Sequence, residues 1–78
     1  MAQYFFDVTD DGILAVDQEG SELNALRAAR AEAIGILPEL AKSLEAHGDH
    51  RTFVVTARDA TGKPVFRATL SLDCTWLE

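Results

Sequence analysis

A chain of 78 residues has room for one domain, expected to span residues 1–78, since independent domains seldom fall below about 50 residues. Its 47% hydrophobic and 26% charged composition excludes a disordered segment, and the net charge of −6 with no basic patch argues against a nucleic-acid partner. Cys74 is the one cysteine, so an internal disulfide and a Cys/His zinc staple are both excluded.

A domain this small hides only about 60% of the surface its unfolded chain exposes, so packing needs a supplement, and self-association is the one left. Residues 1–16 lack the basic start and continuous apolar run of a signal peptide. No segment approaches the ~20 apolar residues that span a bilayer. A cytoplasmic location without membrane contact is expected.

In chain order, Gln3-Tyr4-Phe5-Phe6-Asp7-Val8 is aromatic-rich and reads as a strand. Thr9-Asp10-Asp11-Gly12 supplies turn residues, and Ile13-Leu14-Ala15-Val16 returns as a short second strand whose register stays open. The polar run Asp17-Gln18-Glu19-Gly20 ends this hairpin.

From Asn24 to about Ala46 the period becomes helical, with Leu26, Ala29, Ala33, Ile36, Leu37, Leu40 and Leu44 in one stripe. Asn24, or else Ser21, is the expected N-cap, and Gly48 the stop signal. Pro38 withholds a donor from the carbonyl of Ile34. Because Leu40 and Leu44 stay in phase with Leu26 and Ala33, a single kinked helix is expected.

Arg51 to Asp59 alternates with Phe53, Val55 and Ala57 on one face, and Pro64 to about Cys74 alternates with Phe66, Ala68, Leu70 and Leu72. Asp59-Ala60-Thr61-Gly62-Lys63 joins them as a turn. Setting Ala57 opposite Phe66, Val55 opposite Ala68 and Phe53 opposite Leu70 keeps the apolar side chains together, which predicts a loop of two or four residues. The expected fold is α+β, order ββαββ: an antiparallel sheet of about four strands with one long helix on one face.

Sites capable of chemistry are sparse. Asp7-Val8-Thr9-Asp10-Asp11-Gly12 resembles the start of a calcium loop, but Thr9 stands where an acid or amide is wanted and Gln18 where a bidentate Glu belongs. Asp7 and Asp11 are therefore weak metal candidates, as are His47 and His50, which with Glu45 and Asp49 occupy a loop that would be polar in any case. Cys74 lacks a readable base, and Arg27 with Arg30 reads as a solvated helix face. No catalytic constellation is readable and no cofactor is expected.

The segments Tyr4-Phe5-Phe6-Asp7, Asp17-Gln18-Glu19-Gly20-Ser21-Glu22-Leu23, Ala28-Ala29-Arg30-Ala31-Glu32-Ala33 and Arg58-Asp59-Ala60-Thr61-Gly62-Lys63-Pro64-Val65, in this order and spacing, resemble an uncharacterised bacterial family. That family is catalogued as a domain of unknown function (family 6894). The resemblance covers nearly the whole chain, implies a bacterial stand-alone domain, and carries no catalytic or binding residues with it.

One helix covers one sheet face, while Phe5, Val54 and Val65 are expected on the other and Ile34 widens the apolar side of the helix. These four residues are the interface candidates. The leading expectation is a non-enzymatic interaction or regulatory module that forms a homodimer through an uncovered face or edge, with an unknown protein partner as an addition. The alternative is a small-ligand or metal-ion binding protein using the acidic first hairpin.

Overall fold

The computed structural model describes residues 2–42 and 50–77. Its elements are β1 (Ala2–Asp10), β2 (Ile13–Ala15), β3 (Ser21–Leu23), α1 (Leu26–Lys42), β4 (His50–Arg58) and β5 (Pro64–Asp73). All pairings are antiparallel, in the order β2-β1-β4-β5, with β3 also on β1. This is the expected α+β architecture with a fifth strand added. Three residues are too few to display an alternation, which is why β3 has no signature in the sequence.

The first hairpin closes tightly. Asp10 faces Ile13, and Asp11 and Gly12 both hold positive φ, 53° and 92°, which is the type I′ geometry that suits the twist of two strands. Asp tolerates the left-handed region better than most side chains, so Asp-Gly specifies this turn. β2 covers one end of the outer edge of β1 and β3 the other: Val8 faces Ala15, whereas Tyr4 faces Ser21.

Ser21 is thus a strand residue and not a helix cap, and Asn24 lies one residue short of that role. The capping position falls on Ala25, whose carbonyl accepts from the N–H groups of Ala28 and Ala29. Pairing with β1 keeps the chain extended through Leu23, which delays entry into the helix. The helix runs unbroken through Pro38 to Lys42; Leu44, Glu45, His47, Gly48 and Asp49 lie outside the described residues.

Ala29, Ala33 and Leu37 form the buried line of the helix, and Tyr4, Phe6, Phe53, Val55 and Ala57 the sheet surface beneath it. Two alanines with no exposed surface, one turn apart, let the helix axis approach the sheet closely. Phe53 and Val55 are the largest side chains wholly removed from solvent; at about 1.5–3 kcal/mol for a fully buried side chain of this kind, they anchor the core.

In the second hairpin Ala57 faces Phe66, Val55 faces Ala68 and Phe53 faces Leu70, the pairing that keeps the apolar residues on one face. The predicted loop length is corrected. Arg58 faces Pro64, so Val65 is an unpaired bulge and residues 59–63 form a five-residue connection. Parity between facing residues holds only for an unbroken ladder, and the bulge takes up one residue. The bulge also redirects Val65, which packs against the core cluster instead of standing on the far face.

The connection itself is a turn followed by a glycine at φ 90°. The Gly62 N–H donates to the Asp59 carbonyl. The Asp59 carboxylate accepts from the Thr61 hydroxyl at 2.6 Å and from the N–H groups of Thr61 and Lys63. The Thr61 hydroxyl bond is the foremost reason that the Asp59 carboxyl titrates below its ordinary range.

Candidate functional site

The sheet face away from the helix holds the densest polar constellation. Residues directly opposite one another share a face, which places Phe5 beside Arg58, Asp7 beside Thr56 and Arg67, and Thr9 beside Leu14, Val54 and Thr69. Thr52 follows with Ser71, then His50 with Asp73. Of the three apolar residues expected here, Phe5 and Val54 stand on this face and Val65 packs against the core; the rest of the face is mostly hydroxyl and charged.

Arg58 organises one end of it. Its Nε donates to Asp7 Oδ2 at 2.6 Å, and its Nη2 donates to Asp7 Oδ1 at 3.1 Å and to the Asp17 carbonyl at 3.2 Å. The guanidinium also lies over the Phe5 ring, 5.1 Å from the centroid, a favourable cation–π position. Asp17 continues the network by accepting from the N–H groups of Phe6, Glu19 and Gly20, while its own N–H donates to Asp7. The result is a clamp that ties the segment after β2 to β1 and β4.

Electrostatics agree with geometry. The Arg58 hydrogen bond holds the Asp7 carboxyl below its ordinary range against the opposing effect of burial. The backbone N–H of Phe6, more than any other donor, does the same for Asp17. Gly20 sits at φ +75°, and a Cβ there would come within 2.9 Å of the Phe5 ring. Only glycine satisfies both the backbone conformation and the contact.

A second ion pair closes the other end of the sheet: Arg51 Nη2 donates to both Asp10 oxygens, at 2.7 and 2.9 Å, and Arg51 Nε approaches Asp11 to 4.0 Å. The acids of the first hairpin are thus already engaged by arginines.

The weak metal candidates are dispersed. Asp7 is held by Arg58, and Asp11 receives the Thr52 N–H at 3.3 Å. His50 hydrogen-bonds Asp73, and His47 lies outside the described residues. Asp7 and His50 fall six residues apart along the ladder, about 20 Å at the rise of a strand. Among the described residues no three His, Cys, Asp or Glu side chains gather as metal ligands.

Arg30 reaches over the Phe66 ring at 6.0 Å from its centroid, while Arg27 stays in solvent. The opposite flank of the helix carries a shallow groove of about 460 Å³ between Ala31, Glu32, Gly35, Ile36, Glu39 and Leu40. Its charged lining is the exposed pair Glu32 and Glu39, the second of which lies 3.9 Å from the Lys42 ammonium. Among the described residues no helix is long and apolar enough to cross a membrane.

Apolar exposure gathers at the sheet borders. On the β2 side Ile13 and Leu14 are 76% and 60% exposed, although that strand is only three residues long. On the other side β5 runs for ten residues, and no described strand pairs with its outer edge. Of the interface candidates, Phe5 lies beneath Arg58, Val54 is half-buried, Val65 joins the core, and Ile34 remains 40% exposed.

The sequence reading missed the clamp for a definable reason. Alternation puts Phe5 and Asp7 on one face of β1 and Arg58 on one face of β4, but it does not say that β1 and β4 are neighbours. The clue lay in the segments carrying the family resemblance: three of the four contribute to the clamp, through Phe5 and Asp7, Asp17 and Gly20, and Arg58.

The fold and its far face define a class: small antiparallel α+β domains with one covering helix and a sheet face tied by polar clamps. Within that class the chain belongs to the domain of unknown function family DUF6894, whose model matches residues 3–71. No curated protein and no solved structure matches it.

Proposed function

We propose that this protein is a non-enzymatic interaction module of the bacterial cytoplasm that self-associates through the outer edge of β5. The observation that carries this reading is the ten-residue border strand itself, with no described strand on its outer side. A row of unpaired N–H and C=O groups that long is a template for another strand. The far face supports the same choice by contrast, because its one aromatic, Phe5, already lies beneath the Arg58 guanidinium. Partly buried Phe66 and Leu70 on β5 and exposed Ile34 on the helix add apolar surface beside that border.

Light scattering coupled to size exclusion at tens of micromolar tests the reading. A dimeric mass is expected. A strictly monomeric mass across that range overturns it.

A further inference from the structure

Resting on that reading, we propose that two copies join β5 to β5 in antiparallel register about a two-fold axis through Leu70. A two-fold axis perpendicular to the sheet leaves each face continuous only when some residue stands opposite its own copy. Leu70 is the position at which the charges of β5 match. The far-face residues of this strand are Arg67, Thr69, Ser71 and Asp73. Centring on Leu70 sets Arg67 opposite Asp73 of the second copy and Thr69 opposite Ser71, each pair occurring twice.

The arrangement is a palindrome in chemistry: cation, hydroxyl, Leu70, hydroxyl, anion. Opposite charges and hydroxyl pairs directly across a strand pair are favourable, and like charges there are not. Both charged side chains remain accessible: Arg67 is exposed, and the Asp73 side chain stays 70% exposed although it hydrogen-bonds His50. Centring on Ala68 would offer Lys63 to Asp73 instead, but it draws Pro64 and the bulged Val65 into the new ladder. Proline has no N–H to give, and the bulge breaks the spacing.

The helix fits the same axis. Arg30 lies over Phe66 of β5, so this flank of the helix faces the outer edge of β5, and Ile34 stands about one turn further along it. A two-fold axis perpendicular to the sheet puts both helices on one side, with Ile34 of each copy turned toward the seam.

The test is charge reversal followed by mixing, with circular dichroism confirming that each variant is folded. Arg67→Asp and Asp73→Arg each create two like-charge contacts per dimer and are expected to weaken it about tenfold. Mixed at equal concentration, the two variants are expected to form a heterodimer in preference to either homodimer, read by native mass spectrometry. The double variant R67D/D73R should regain the homodimer. A dimeric parent whose variants dimerise normally, with no preference on mixing, overturns the Leu70 register and leaves self-association standing. A monomeric parent overturns both.

Discussion

Asp7 and Asp17 give the molecule its expected response to acid. Both carboxyls sit below the ordinary value of 3.8 in the folded chain, through the Arg58 hydrogen bond for Asp7 and the Phe6 N–H for Asp17. A depressed native pKa contributes stability that is fully present above the unfolded value, and falling pH removes it. Melting temperature is therefore expected to stay level above about pH 5 and to drop as pH falls through 3.8 toward the lower native values. Asp7→Asn should lower the neutral-pH melting temperature by several degrees and flatten that acid limb; an acid limb identical to that of the parent would deny the clamp its role. Gly20→Ala meets two obstacles, a left-handed backbone and a Phe5 ring atom 2.9 Å from the new Cβ. The combination should cost about 1–3 kcal/mol in denaturant titration.

Helix α1 carries the opposite opportunity. Gly35 lies within it, and a Cβ added there would meet nothing within 4 Å, so Gly35→Ala adds helix propensity without a clash. A gain of about 0.5–1 kcal/mol is expected in the same titration. Ala33, wholly buried against the sheet, should behave in the reverse sense: Ala33→Leu overpacks the contact and should cost about 1–3 kcal/mol. The helix and the alternation of β4 and β5 were legible because each spans many repeats of its own period. The facing pairs Ala57 with Phe66 and Phe53 with Leu70 followed from face matching alone. What alternation does not encode is the bulge at Val65, since an extra residue in one strand leaves the apolar pattern on either side of it intact.

At the scale of the whole molecule, β1 is the element that makes one domain from two hairpins. It pairs with β2 and β3 along one edge and with β4 along the other. Strand order was not readable, because the apolar faces of β1, β4 and β5 would match in several arrangements. The Asp7–Arg58 and Asp10–Arg51 pairs mark the arrangement adopted, and each joins residues more than forty positions apart. If the β5 edge is the seam, association draws on the native state only, and the melting temperature should rise with protein concentration. A melting temperature independent of concentration would speak against it.

Trp76, the sole tryptophan, stands just beyond β5 and is 83% exposed. Its emission should already resemble that of an indole in water in the folded monomer, so fluorescence would register little on unfolding, and far-ultraviolet dichroism is the signal to follow. The same position makes it a built-in reporter for the strand border: a blue shift on concentrating the protein would register a neighbour arriving there.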